Sequence, residues 1–205
     1  MRGPTRTIAL AVAAVLLLAP SLLGARQQQA RAGDAFAEPE RLLTSLYEAV
    51  TFKAGSLPDW TYVRSMFIDE AVILLRTTRT DTTVFSVDGF VADFERFIAE
   101  SRVADQGFVE RIHAMRSWVY RDMAHALVLY SACIPGRERP PQLGIDSFLL
   151  QRRDGRWWIT ALTNDIIDEA HPVPRELWEP GQDRPPTAPA DCEIRGGTEP
   201  EPSAP

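Results

Sequence analysis

The sequence has little that would support metal, phosphate or nucleophile chemistry. It holds three histidines and two cysteines in 205 residues, and it contains neither a glycine-rich phosphate loop nor a G-x-S-x-G nucleophile elbow. Glu110 and His113 are predicted to lie on opposite faces of one strand, so they do not begin a set of metal ligands. The sequence therefore predicts no metal site and no cofactor.

Lysine is also scarce, with Lys53 the only one, and the 22 basic residues are outnumbered by 28 acidic ones. The formal net charge is -6, and it becomes -10 without residues 1–32, because 18 basic groups then face 28 acidic ones. Nucleic-acid phosphates and anionic lipid surfaces would repel such a chain. We therefore expect no nucleic-acid partner, and no membrane contact beyond an N-terminal anchor.

Residues 1–32 have the features of a secretory signal peptide. Arg2 and Arg6 precede an apolar run over residues 8–19, and the small-residue pattern Ala30-Arg31-Ala32 follows. The apolar run is short for a membrane span of about 20 residues, so an uncleaved anchor is the alternative. Either outcome predicts an exported protein, periplasmic or extracellular.

The last part of the chain, residues 171–205, holds nine of the 16 prolines. Its proline-rich, acidic composition predicts a tail that is disordered or draped on the domain, because it offers little apolar surface to bury. Cys133 and Cys192 can form a disulfide in an exported protein. Two unrelated thiols are the alternative.

The strongest local signal is Asp154-Gly155, which lies between two strand-like runs. A type I′ turn needs positive φ at both central residues, and this pair supplies it. A two-residue loop pairs Leu150 with Ile159, and strict alternation extends that register along both strands. One face is then predicted to carry Asp146, Phe148, Leu150, Trp157, Ile159, Ala161, Thr163 and Asp165.

Apolar periodicity predicts the rest of the domain, over residues 36–170. A helix is expected at 39–52, a short helix after Ser56 and a third after Ser86, which is a candidate N-cap. Strands are expected at 71–77, 108–120 and 123–134, before the final hairpin. Late strands without intervening helices favour an α+β fold in which helices pack on one side of an antiparallel sheet.

This order, together with an F-x-L…D-G-x-W-x-I hairpin, resembles the NTF2-like superfamily, which includes ketosteroid isomerase and polyketide-cyclase relatives. The matching residues are Phe148, Leu150, Asp154, Gly155, Trp157 and Ile159. The resemblance implies a cone in which a curved, mostly antiparallel sheet wraps around about three N-terminal helices. It also implies a cavity at the wide end and a homodimer formed through the sheet.

The candidate pocket combines two acids, an imidazole and a phenol. Arg121-Asp122 is predicted to turn the middle hairpin, which would place His113 opposite Tyr130 and near Asp146 and Asp165. A carboxylate there could have a raised pKa and transfer a proton, while Tyr130 or His113 stabilises an oxyanion. Alternatively, these groups only satisfy one another and the backbone. The predicted ligand-binding walls are Trp60, Met115, Val128, Phe148, Ala161 and Thr163.

Three functions remain open at this point. The first is a domain that binds a small, largely apolar ligand or serves as an accessory module. The second is a cofactor-independent isomerase, cyclase or dehydratase, and the third is an interaction module with a filled pocket. Ketosteroid isomerase activity is not carried over, because the early acids Asp59, Asp69 and Glu70 are better explained as helix caps or loop charges.

Overall fold

Residues 35–77 and 80–192 are described by a computed structural model, and the predicted signal peptide lies outside them. The described residues from Phe36 to Cys192 form one unit, and they include three α-helices: α1 (Pro39–Val50), α2 (Trp60–Arg64) and α3 (Val87–Ser101). Within the described ranges, no helix combines the length and the apolar character needed to cross a membrane.

Local sequence signals account for the helix ends. Pro39 occupies the first turn of α1, and the Ser86 side chain accepts a hydrogen bond from the Gly89 N–H at 3.2 Å, as predicted for the N-cap of α3. The cap of α2 is Asp59, which accepts from the Tyr62 N–H at 3.0 Å. Both long helices bury their apolar stripes against the sheet.

In the part of the chain that the structure describes, seven strands form one sheet, with the order β1-β4-β5-β6-β7-β2-β3. Only β2 and β7 run parallel, and the other neighbours are antiparallel. This confirms the predicted α+β class and the mostly antiparallel sheet. The strands are β1 (Phe52–Lys53), β2 (Phe67–Arg76), β3 (Thr82–Phe85), β4 (Gly107–Tyr120), β5 (Met123–Cys133), β6 (Gln142–Arg153) and β7 (Arg156–Ile166).

The terminal hairpin follows the predicted register only near its turn. Asp154 and Gly155 have φ values of 55° and 78°, and Leu150 pairs with Ile159. Beyond that pair, Thr160 is an extra residue in β7, and a β-bulge of this kind reverses the alternation of every later side chain. The predicted face was therefore wrong past Ile159: Leu162 and Asn164 face inward, whereas Ala161, Thr163 and Asp165 face outward.

A second bulge changes the middle hairpin. Tyr120 pairs with Met123, as predicted, but Tyr130 pairs with Ile112, and His113 is the extra residue. The His113 Nε2 atom lies 2.8 Å from the Ser131 Oγ atom. Because Ser131 and Tyr130 are adjacent in β5, their side chains lie on opposite faces. The predicted pairing of His113 with Tyr130 was wrong for this reason.

The proline-rich tail is described as far as residue 192, and it lies against the outer face of the sheet. Val173 and Leu177 are buried in an apolar cluster with Leu129 and Leu143, and the Trp178 indole donates to the Val173 carbonyl at 2.9 Å. A disulfide joins Cys133 to Cys192. The tail thus covers part of the sheet face through which a homodimer was predicted, and the dimer itself stays a prediction.

Candidate functional site

The helices and the inner sheet face enclose a chamber of about 100 Å³, called the inner chamber below. Its apolar walls come from α1, α3, β2 and β7, and its polar groups come from α1 and from strands β4 to β7. Its lining residues are Leu46, Tyr47, Val50, Leu75, Phe90, Phe94, Glu110, Tyr130, Asp146, Leu162 and Asn164. The inner chamber is therefore an apolar space with polar groups on its strand side.

Asp146 is the central polar group of the inner chamber. It lies between Val128 and Asn164 in the sheet register, and only 8% of it is exposed. The Tyr47 hydroxyl donates to its Oδ2 atom at 2.5 Å, while its Oδ1 atom has no hydrogen-bond partner among the described residues. Burial raises the pKa of Asp146 to about 7, and the Tyr47 hydrogen bond opposes that shift.

Glu110 places a second carboxyl group in the same chamber. Its backbone N–H donates to the Thr51 Oγ1 atom at 2.9 Å, and the Thr51 hydroxyl donates to its carbonyl at 3.0 Å, which ties β4 to the end of α1. Burial, and then the charge of Asp146, raise the pKa of Glu110 to about 8. Both carboxyl groups of the inner chamber thus have pKa values raised to near neutral pH.

Tyr130 completes the polar side of the chamber. Its ring centroid lies 5.7 Å from that of Tyr47, and the Asn164 side-chain amide donates to its hydroxyl at 3.3 Å. Burial, followed by the charge of Asp146, raises the pKa of Tyr130 well above its usual value, so this phenol stays protonated.

Gly144 on β6 makes room for the Tyr130 ring. A Cβ atom at Gly144 would lie 2.6 Å from the Tyr130 hydroxyl oxygen and 2.6 Å from its Cζ atom. Contacts this short force one group to move. The missing side chain at Gly144 therefore allows the ring to lie over β6 with its hydroxyl beside Asn164.

Gly144→Ala is expected to destabilise the protein by about 1–3 kcal/mol, because the added methyl group must displace the Tyr130 ring. Urea unfolding measures this loss. In a Tyr130→Ala background the same substitution is expected to cost much less, since the clashing ring is gone. Equal losses of stability in the two backgrounds would show that the position of the Tyr130 ring does not depend on Gly144.

A larger cavity of about 320 Å³ adjoins the inner chamber, and we call it the mouth cavity. Tyr130 and Asn164 line both spaces. Its other lining residues are Arg76, Phe97, Phe108, Ala132, Cys133, Ile134, Arg137, Arg139, Pro140, Gln142, Leu143 and Ile166. Cavities of roughly 150 Å³ accept a benzene ring, so the two spaces together can hold a small aromatic molecule.

The structure brings together only two of the four predicted acid/base residues, Asp146 and Tyr130. Asp165 faces outward, where the Arg76 Nε atom lies 2.6 Å from its Oδ1 atom. Hydrogen bonding from Arg76 lowers the pKa of Asp165, so this acid is a surface ion-pair partner. His113 lies on the outer face with Ser131.

The predicted wall residues are also divided between the two faces of the sheet. Val128 and Phe148 are fully buried on the inner face, and Phe148 contacts the Tyr47 ring edge-on. Trp60 packs on Phe94 with ring centroids 5.3 Å apart, within an apolar cluster. Met115 lies on the inner face opposite Val128 but does not line the inner chamber, and Ala161 and Thr163 face outward because of the bulge at Thr160.

Sequence reasoning missed Tyr47, Glu110 and Asn164. Tyr47 belongs to the apolar stripe of α1, where an aromatic residue is expected to be core. Asn164 was assigned to the outer face because the predicted register of β7 did not include the bulge at Thr160. Glu110 lies two residues from both Phe108 and Ile112 in β4, so the three side chains share one face of the strand. A carboxyl group between apolar residues on one face was the available signal.

Within the described residues, no three histidine, cysteine, aspartate or glutamate side chains lie close enough together to hold a metal ion. The chemistry that this arrangement offers is hydrogen bonding and proton transfer by buried carboxyl and phenol groups.

Solved structures show the same fold. An NTF2-like protein of unknown function from Pseudomonas putida KT2440 aligns over 71% of this chain and 97% of its own, with 15% identity and a TM-score of 0.52. An NTF2-like protein with a cystatin-like fold from Novosphingobium aromaticivorans aligns over 83% and 99%, with 12% identity and a TM-score of 0.52. No family model and no curated protein matches the sequence.

Proposed function

This chain has the NTF2-like fold, and we propose that its inner chamber, together with the adjoining mouth cavity, binds a small, largely apolar molecule that carries a hydroxyl group. One observation carries this proposal: the Asp146 Oδ1 atom is buried in the chamber and has no hydrogen-bond partner among the described residues. A buried acceptor without a donor costs free energy. A ligand hydroxyl would supply the missing donor.

The surrounding groups fit such a ligand. Tyr47 holds the other Asp146 oxygen, so the carboxyl group is fixed before the ligand arrives, which lowers the entropy cost of binding. Leu46, Val50 and Leu162 offer apolar contact to the body of the ligand. The Tyr130 hydroxyl is a second polar contact at the boundary with the mouth cavity.

Phenol and toluene form a matched pair that tests the proposal, because they share a shape and differ in one donor. At pH 8, where Asp146 is largely ionised, phenol is expected to bind about tenfold more tightly than toluene, as hydrogen bonds to charged groups contribute about 1.5–3 kcal/mol. Chemical-shift titration of the side chains that line the chamber measures both dissociation constants.

Asp146→Asn is the control for this pair. The introduced amide must accept from Tyr47 with its oxygen, which leaves its NH₂ group facing the chamber as a donor. Most of the preference for phenol is then expected to disappear while toluene binding is retained. Equal affinities for phenol and toluene in the unsubstituted protein would contradict the proposal.

A second candidate function is cofactor-independent acid/base catalysis. The raised pKa values of Asp146 and Glu110 near neutral pH support it, because an efficient general acid or base has a pKa close to the working pH. Asp146 would remove a proton beside a carbonyl group, while Glu110 or Tyr130 donates a hydrogen bond. Exchange of the α-protons of cyclohexanone in D₂O tests this, and Asp146→Asn should abolish any exchange above the buffer rate.

We also propose that the protein acts outside the cytoplasm. The disulfide between Cys133 and Cys192 supports this, because disulfides persist in oxidising compartments. Because side chains do not fill the inner chamber, ligand binding or catalysis is favoured over an interaction module with a filled pocket.

A further inference from the structure

The lining of the mouth cavity carries positive charge, although the protein as a whole is acidic. Arg76, Arg137 and Arg139 line it together with apolar side chains, and its described lining includes no aspartate or glutamate. The chain as a whole carries a net charge of -6. The mouth cavity is thus a locally positive, largely apolar space beside the inner chamber.

The three guanidinium groups differ in their partners. Arg76 forms an ion pair with Asp165. Arg137 donates to the Gln106 Oε1 atom at 3.3 Å and to the Ser101 carbonyl at 2.8 Å. These neutral acceptors hold the Arg137 side chain without compensating its charge.

Arg139 is held in a similar way, since it donates to the Gln142 Oε1 atom at 3.2 Å. Among the described residues, no carboxylate lies within ion-pair distance of Arg137 or Arg139. Two positive charges in the mouth cavity are therefore available to a ligand.

We infer that the ligand is an elongated amphipathic carboxylate whose charged end contacts Arg137 and Arg139 in the mouth cavity. Its apolar part and its hydroxyl group extend into the inner chamber toward Asp146. Arginine matches a carboxylate in shape as well as in charge. This inference rests on the proposed function and adds the chemical class of the ligand.

A ligand with a single negative charge suits the mouth cavity better than one with several. Glu138 lies between the two arginines in the sequence, and Asp165 neutralises the third. A multiply charged anion such as a phosphate ester would meet these acids as well as the arginines. A monocarboxylate gains the contacts with less repulsion.

Three probes separate the inference from the proposed function. The first, 3-(4-hydroxyphenyl)propanoate, has both a hydroxyl and a carboxylate. The second probe is the primary amide of this acid, which keeps the hydroxyl but has no charge. The third, 3-phenylpropanoate, keeps the charge but has no hydroxyl. Dissociation constants are measured by calorimetry on the full chain at pH 8 and low salt, because salt screens exposed charges.

The hydroxylated acid is expected to bind about tenfold more tightly than its amide, since a charge-assisted contact with arginine is lost in the amide. Arg137→Gln/Arg139→Gln should bring the two affinities together, and Arg139→Gln alone should have part of this effect. Arg152→Gln is the matched control: it also removes one exposed arginine, but it lies at the other end of β6, roughly 30 Å away. It should leave the ratio unchanged.

Each outcome decides between the two proposals. Equal affinities for the acid and its amide, with 3-phenylpropanoate binding more weakly, would overturn the inference and leave the proposed function standing. The same holds if the acid's advantage survives the double substitution. Equal binding of the acid with and without its hydroxyl would contradict the proposed function and the placement of the ligand hydroxyl near Asp146, but not the contact of the carboxylate with the two arginines. No binding of any probe would contradict both.

Discussion

Raising the pH from about 4.5 to 8 is expected to lower the free energy of unfolding. Asp146 and Glu110 have pKa values of about 7 and about 8 in the folded protein, well above their values in an unfolded chain. At pH values between the pKa of these acids in the unfolded chain and their pKa in the folded protein, the folded state holds protons that the unfolded state has released. Stability therefore falls as the pH rises. The contribution of Asp146 is on the order of 4 kcal/mol, since one pKa unit corresponds to about 1.4 kcal/mol.

Other titrating groups affect the free energy of unfolding outside the range from about pH 4.5 to 8, or only weakly within it. Asp165 and Asp168 have lowered pKa values, so they stabilise the fold above about pH 4, and that stabilisation is lost in stronger acid. His113 has a pKa lowered by burial, which adds stability as the pH rises toward about 6.5, but this residue is partly exposed. The expected maximum therefore lies near pH 4.5.

Glu110→Gln/Asp146→Asn isolates the effect, because it replaces both acids with neutral groups of similar shape. Urea unfolding at several pH values should give a nearly flat profile for this variant between pH 4.5 and 8. Asp165→Asn serves as the matched surface control and should retain the decline. A stability that rises over this range in the unsubstituted protein would show that the two buried acids are ionised in the folded state.

Loss of the Cys133–Cys192 disulfide is expected to have an effect of similar size. The bond joins residues separated by 59 positions, and closing a loop of that length stabilises a fold by about 4 kcal/mol on the chain-entropy model. It also holds the tail, in which Val173 and Leu177 are buried against the sheet. Reduction should therefore lower the midpoint of urea unfolding and expose this apolar cluster.

Cys133→Ser/Cys192→Ser gives the same comparison without a reductant. The oxidised protein and this variant are compared by urea unfolding, and an apolar fluorescent dye reports on exposure of the cluster. The reductant should not affect the variant. An unfolding midpoint that is identical in the oxidised and reduced protein would mean that the disulfide contributes no net stability.

Much of the fold follows from local sequence signals. Ser86 predicts the start of α3 because its side chain can cap the helix, and Asp154-Gly155 predicts a two-residue turn because both residues tolerate positive φ. The apolar stripe of α1 predicts the face that it buries. Strands β1 and β3 were missed because they have only two and four residues.

The candidate site could be predicted only in part, because two bulges change which face each side chain occupies. Neither His113 nor Thr160 carries a sequence signature of a bulge, and each shifts the alternation of a whole strand by one residue. Asp146 and Tyr130 were placed correctly because they lie in β6 and β5, which contain neither bulge. Glu110 was missed because strict alternation from His113 assigns it to the outer face, whereas the bulge at His113 places it on the inner face with Tyr130.

The pKa of Asp146, followed by ¹³C NMR of its carboxyl carbon, tests the proposed binding mode most directly. In the free protein the carboxyl group should titrate near pH 7. Phenol should lower this pKa, because a donated hydrogen bond stabilises the carboxylate, whereas toluene should leave it unchanged or raise it. A pKa near the ordinary value of an exposed aspartate, or the same response to phenol and toluene, would contradict a role for Asp146 as the buried acceptor of a ligand hydroxyl.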